Sequence, residues 1–306
     1  MLKAIRIRLR KIKALHSMYM RAKRMFTGEL VGMTSKTEQD YLHKYGADEY
    51  LGFGEVVDLG CFLGSTTIPL ARGLAGNPAF SGRKIHSFDA FIWYESMDEA
   101  VSGADIGGLR PGDSFLGEFK RRTIEFEKII EVHPGDLTML GWDNRPIEFL
   151  LVDSMKNWDL ANAIFRNFYA YLGPNQSLVF HQDFAHYFTG WIHLLHWRLR
   201  EHFEFVAEVP QAASVVLKFT KPIPESLFEE SFSFGSFSDE EIDAAFEHSL
   251  SLVSSDKHAN ILAAKVMCFC HQNRTDKARI ILSEIEASGV PMTDELEIIR
   301  QLIAAD

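Results

Sequence analysis

The chain has 306 residues, of which 46 % are apolar and 24 % charged, and a formal net charge of −10. That balance is globular and excludes wholesale disorder, a collagen-like fibre and a disulfide scaffold. The three cysteines, Cys61, Cys268 and Cys270, suit a reducing compartment. No apolar run reaches the ~18 residues of a membrane span, and no secretory leader pattern opens the sequence. The expectation is therefore a soluble, cytoplasmic protein. Charge is unevenly placed: residues 1–24 hold nine Lys or Arg and no acid, whereas the chain from Glu225 onward holds 16 acids against 6 bases. An acidic body without a basic stripe excludes a reader of duplex nucleic acid.

The first region, residues 1–29, places Leu2, Ile5, Leu9, Ile12 and Tyr19 at helical spacing among the cations, which predicts a basic amphipathic helix. Ile5 to Leu9 also alternates as a strand would. Such a segment suits peripheral contact with the anionic inner face of a membrane. The competing expectation is a homo-oligomer contact with an acidic tail, and sedimentation with anionic vesicles separates the two. Residues 30–224 alternate short apolar runs with helical patterns, the signature of a parallel sheet wrapped by helices. Lys221-Pro222-Ile223-Pro224 closes this domain, because two prolines in four residues interrupt regular structure. Residues 225–306 read as a helical region. Ser238 and Glu241 fit a capping box, and helices over about 257–272 and 275–288 end at Gly289 and Pro291. One hairpin of tetratricopeptide style is not a repeat array, so a helical cap or oligomer contact is expected. Cys268 and Cys270, two apart on a helix, point away from each other and read as structural.

The chemistry lies in the middle region. Glu55-Val56-Val57-Asp58-Leu59-Gly60 reads as a buried strand, and Cys61-Phe62-Leu63-Gly64-Ser65-Thr66 turns the chain into a helix. Glycines let backbone pass close to a ligand, and Ser65 or Thr66 is placed to cap the helix. The spacing is not the G-x-G-x-x-G of dinucleotide binding. A second strand ends in Asp89, where an acid accepts both hydroxyls of a ribose. A third strand, ending at His133, leads into Pro134-Gly135-Asp136, where an acid suits an adenine amino group. The fourth strand ends at Asp153 and the fifth leads through His181 to Gln182-Asp183. Acids thus gather at the carboxyl edge of one sheet, where ligands bind at the switch point.

Residues 30–224 resemble a class I S-adenosylmethionine-dependent methyltransferase. The style is that of the macrocin O-methyltransferase, cephalosporin-hydroxylase-like and catechol O-methyltransferase group. The resemblance rests on Val57-Asp58-Leu59-Gly60-Cys61-Phe62-Leu63-Gly64-Ser65-Thr66 and Ser87-Phe88-Asp89-Ala90-Phe91. Gly135-Asp136, Leu151-Val152-Asp153 and Leu172-Gly173-Pro174 before Val179-Phe180-His181 complete it. It implies an α/β, doubly wound, Rossmann-like sheet, mostly parallel, with an antiparallel last strand from the hairpin at residues 203–209 and 213–219. It also implies S-adenosyl-L-methionine as cofactor. Asp58 would neighbour the methionyl amino group, Gly60, Gly64 and Ser65 would form the loop beneath it, Asp89 would bind the ribose and Asp136 the adenine edge. The implied reaction is O-methylation of a hydroxyl on a small molecule or glycan. In related enzymes the acids corresponding to Asp153 and Asp183 bind a divalent cation such as Mg²⁺, and a lysine placed like Lys156 takes the proton. Here the sequence departs from Asp-Gly-Asp-His, reading Asp153-Ser154-Met155-Lys156, and Gln182 replaces one acid of a pair.

Histidines cluster at His181, His186, His193, His196 and His202. His181 and His186, near the strand tip, are candidate bases; His193 and His196 read as faces of a helix packed on protein. Residues 93–124 form a long glycine-rich insertion with Trp93, Tyr94 and Phe115, read as a lid over the acceptor. Two rival functions stay open. One is a nicotinamide-dependent oxidoreductase on a similar sheet, and the other a catalytically degenerate methyltransferase fold that binds a partner.

Overall fold

The computed structural model describes residues 18–305. Most of the expected basic helix falls on residues 1–17, outside the described residues. Residues 18–27 are helical (α1). Arg24 there donates to the carbonyls of Ser102 and Ala100 at 2.7 and 2.8 Å.

Seven strands form the sheet: β1 (Glu55–Leu59), β2 (Ile85–Asp89), β3 (Ile130–Pro134), β4 (Ile147–Val152), β5 (Leu178–His181), β6 (Phe203–Glu208) and β7 (Val215–Phe219). Their order is β3-β2-β1-β4-β5-β7-β6. The β1–β4, β2–β3 and β4–β5 pairs are parallel, and β7 is antiparallel to both neighbours. Strand order reverses between β1 and β4, which makes this the doubly wound, Rossmann-like sheet with an antiparallel end. β1 and β4 are buried at every position, as expected of parallel strands covered on both faces. Two of their three buried acids are satisfied locally. Glu55 accepts from Arg145 at 3.0 Å, and Glu148 accepts the Gly54 N–H at 3.1 Å. β6 alternates half-buried with exposed positions, as an edge strand does.

The described residues from 18 to Gly52 together with Gly60–Asp136 form one compact unit, and Phe53–Leu59 with the described chain from Leu137 to 305 form the other. In the first unit, α2 (Lys36–Lys44) opens on a complete capping box, Ser35 with Glu38. It packs against α3 (Thr67–Ala75) where Gly73 meets the end of α2. A Cβ on Gly73 would stand 2.2 Å from the His43 carbonyl oxygen and 2.7 Å from the Ala47 nitrogen. Both are backbone atoms and cannot turn aside. Helix propensity alone would make Gly73→Ala stabilising by about 1 kcal/mol. Overpacking reverses the sign, so the variant is expected to lose about 1–3 kcal/mol in urea unfolding. An unchanged or raised midpoint would refute this contact. α4 (Leu116–Thr123) completes the unit's helices.

The second unit carries α5 (Trp158–Phe168), α6 (Gly190–Leu199), α7 (Glu225–Phe228), α8 (Asp239–Leu252), α9 (His258–His271), α10 (Thr275–Ala287) and α11 (Asp294–Ala305). Asn157 caps α5 through the Leu160 N–H, and the predicted Ser238–Glu241 capping box opens α8. Helix α6 is apolar nearly all round and almost wholly buried, which marks a helix enclosed by protein. His193 on it bonds Ser249 at 2.9 Å, and His196 stacks on His248. Burial lowers both histidines, to about 3 in each case, with His181 adding at His193 and His248 adding at His196. Cys268 is buried and Cys270 partly exposed on α9, two structural residues as their spacing predicts. No helix among the described residues is long and apolar enough to cross a membrane.

Candidate functional site

The first unit builds a loop between Leu59 and α3. Gly60 and Gly64 have φ of +93° and +84°, and Phe62 between them has +44°. The left-handed region costs glycine nothing and Phe62 something, so an external tie must hold it. Asp89 at the tip of β2 provides one. Its Oδ2 accepts the Phe62 N–H at 2.9 Å and its Oδ1 accepts the Phe91 N–H at 2.8 Å. Gly60 donates to the Phe88 carbonyl at 2.8 Å, and Gly135 donates to the Asp89 carbonyl at 2.9 Å. The tips of β2 and β3 and the glycine loop are thereby one hydrogen-bonded assembly. Asp136 follows it, exposed to solvent.

Two expectations for this loop need correction. Ser65 does not cap α3: its hydroxyl is buried and bonds Thr34 at 2.8 Å, and the cap position, Thr66, makes no side-chain cap bond. The insertion at residues 93–124 is not a free lid. Trp93 N–H donates to Asp113 O, Gly112 N–H to Trp93 O and Phe115 N–H to Phe91 O, which zip its ends together. Arg24 holds its middle. Trp93, Phe115, Phe91 and Phe119 are all buried, and the Phe62 ring stacks on Trp93 at 5.8 Å and meets Phe115 edge-on at 5.5 Å. Trp93 and Phe115, expected on a lid's surface, are the core beneath it, whereas Tyr94 is exposed as expected.

The second unit brings the catalytic candidates of β4 and β5 together. Asp58, buried in β1, lies beside β4, and Asp153 past the end of β4 donates its N–H to the Leu59 carbonyl at 2.9 Å. Lys156 donates from Nζ to Asp153 Oδ1 at 2.9 Å and also to Asp183 Oδ2. The first pair is three residues apart in sequence; the second, 27 residues apart, only the fold reveals. Burial raises the Asp153 carboxyl above the usual carboxylate range, with Asp183 and Asp58 adding to it and Lys156 opposing it. For Lys156 burial works the other way, but Asp153 and Asp183 outweigh it and hold the ammonium charged. Half of the lysine side chain is exposed, so it meets solvent as a cation. Nearby in sequence, Ser154 Oγ and Gln182 Oε1 are buried polar atoms without a protein hydrogen bond. Buried groups of that kind call for a partner.

Three sequence expectations change here. Lys156 cannot take a proton while both carboxylates keep it charged. A divalent ion placed between Asp153 and Asp183 would meet the Lys156 ammonium in the same position, so these residues as they stand do not fit Mg²⁺. His181 is the last residue of β5, but its ring lies inside the protein: its Nε2 pairs with the Tyr169 hydroxyl at 2.8 Å, and burial lowers it to about 4 against the raising effect of Asp183. His186, also lowered by burial, stays partly exposed and accepts the Phe188 N–H at 3.3 Å.

No known protein family matches the chain, and no curated protein is similar to it in sequence. Among solved structures it is similar to the O-methyltransferase NovP at 13 % identity and a TM-score of 0.47, over 61 % of this chain and 81 % of that one. It is similar to the calicheamicin methyltransferase CalS11 at 14 % identity and a TM-score of 0.41, over 59 % and 76 %. A methyltransferase from Geobacter sulfurreducens aligns at 14 % identity and a TM-score of 0.39, over 67 % and 87 %.

Proposed function

We propose that this chain is an S-adenosylmethionine-dependent methyltransferase that acts on a hydroxyl of a small molecule or glycan. The observation that carries the reading is the glycine loop, with left-handed Gly60 and Gly64, pinned through Phe62 to the Asp89 carboxylate. The residues suit the cofactor. The Asp89 oxygens accept the Phe62 and Phe91 N–H groups at a strand tip where an acid suits ribose hydroxyls, and the left-handed glycines carry no side chain to cover the loop backbone. The Asp89 carboxylate beside the glycine loop favours a ligand with cationic ammonium and sulfonium groups. A nicotinamide dinucleotide brings a diphosphate, which seeks cations and helix-terminal N–H groups instead.

When bound, the sulfonium supplies a methyl group with a neutral thioether as leaving group. The protein's own task is to align the acceptor oxygen and remove its proton. The Lys156 ammonium favours the developing oxyanion electrostatically, the part a metal would otherwise play. Asp153, its carboxyl raised toward the working pH, accepts the proton. Ser154 Oγ and Gln182 Oε1 are the unpaired polar atoms to which acceptor hydroxyls would bond.

Calorimetry with S-adenosylhomocysteine tests the assignment. One molecule is expected to bind per chain, and a nicotinamide dinucleotide none. Asp89→Ala removes charged hydrogen bonds worth ~1.5–3 kcal/mol, so affinity should fall about 10–100-fold. Unchanged affinity in a folded Asp89→Ala variant, or preference for the dinucleotide, would overturn it.

A further inference from the structure

β3 is the edge strand of the sheet beside β2. Their register sets His86 opposite Glu131 and Phe88 opposite His133. Residues opposite each other share a face, and so do residues two apart on one strand. His86, Glu131 and His133 therefore converge on one side of the β2–β3 pair. His86 Nδ1 lies 2.9 Å from His133 Nε2. Glu131 oxygens lie 3.9 Å from the first nitrogen and 3.7 Å from the second. One donor atom from each residue falls within 4.8 Å of the others. The Phe88 ring lies flat on the His133 imidazole, with centroids 4.2 Å apart, and holds it in place. His86 is fully buried, while Glu131 is half exposed and opens the cluster to solvent at the sheet edge.

We propose that His86, Glu131 and His133 form a binding site for one zinc-like divalent transition metal ion. Two imidazoles and one carboxylate are a donor set for zinc and its first-row neighbours, not for magnesium or calcium. Two nitrogens each ~2.0–2.1 Å from a tetrahedral ion stand roughly 3.4 Å apart, so the histidine pair opens by only about half an ångström to admit it. Water completes the fourth position. In the metal-free protein one imidazole nitrogen must donate its proton to the other across the 2.9 Å contact. Both nitrogens become ligands on binding, so the donor ring changes tautomer and carries its proton on its other nitrogen instead. The register pair just beyond the cluster is Asp89 with Pro134. The ion thus clips the edge strand to β2 immediately beneath the tips that carry Asp89 and Gly135.

The full chain, freed of metal by a chelator that is then removed, is titrated with Zn²⁺ and with Co²⁺. One equivalent is expected to bind, with a visible Co²⁺ spectrum lacking thiolate charge-transfer bands, which separates this site from the three cysteines. His133 and Glu131 lie at the sheet edge, so His133→Ala and Glu131→Gln leave the fold intact. Each should weaken Zn²⁺ binding tenfold or more. Zinc should raise the melting temperature of the parent chain and leave that of His133→Ala unmoved. No binding, or a Co²⁺ spectrum that both substitutions leave unchanged, would overturn the proposal and leave a plain histidine–histidine hydrogen bond.

Discussion

Lys156→Met is expected to lower turnover by about 10²–10³-fold, the usual cost of removing one preorganised charge from a developing oxyanion. S-adenosylhomocysteine affinity should barely change. The substitution keeps the length of the side chain and deletes the ammonium that Asp153 and Asp183 share. A pH profile separates chemistry from mere support. Asp153 must be ionised to accept a proton, so activity is present above its folded pKa and is lost as pH falls through it. Burial raises that value, which places the acid limb of kcat/KM above the pH of about 4 expected of an ordinary aspartate. Lys156 opposes the rise, so Lys156→Met should move the limb further up, and Asp153→Asn should abolish it. Full turnover in Lys156→Met would remove the lysine from the mechanism.

A second large effect concerns acid. His181, His193 and His196 are all buried and lowered to about 4, 3 and 3, in each case chiefly by burial. A histidine lowered in the folded state gives stability that is complete above the unfolded pKa of about 6.5 and fades as pH drops toward the folded value. Between pH 7 and pH 5 each contributes a loss of about 2 kcal/mol. Asp153, raised in the folded state, works in the opposite direction over the same window. The net expectation is a fall of about 3–4 kcal/mol, a large share of the 5–15 kcal/mol that holds a typical domain. Urea unfolding followed against pH checks it. His196→Phe, at a ring already stacked on His248, should flatten the dependence by about one proton. Stability constant from pH 7 to pH 5 would contradict the neutral burial of these residues.

The strands were legible because buried parallel strands read as apolar runs, and an acid at the tip marks where burial ends. The helical hairpin near the carboxyl end was equally plain, its capping box lying in local sequence. What stayed hidden depends on distant partners. His181 lies at a strand end, where sequence suggests the tip, but Tyr169 takes its ring into the core. The charge state of Lys156 turns on Asp183 as much as on the nearer Asp153. Glycines at 103, 107 and 108 gave the insertion the look of an open loop, and they do describe its outside. Its inside is set by Trp93 and Phe115, whose burial comes from the fold and not from their neighbours in sequence. The cluster of His86, Glu131 and His133 needs the strand register, which no single stretch contains.

The stacking of Phe62 on Trp93 and Phe115 has an evolutionary side. The ring that fills the glycine loop and the rings that line the insertion share one packed interior, and close-packed interiors tolerate volume change poorly. A loop transplanted from another protein would therefore arrive without its counterpart at position 62. Divergence here would have to proceed by matched exchanges, a larger ring on one side offset by a smaller one on the other. Where the insertion is exposed, as at Gly107, Gly108 and Gly112, it is left freer to vary alone. Two rates of change are built into a single stretch of chain.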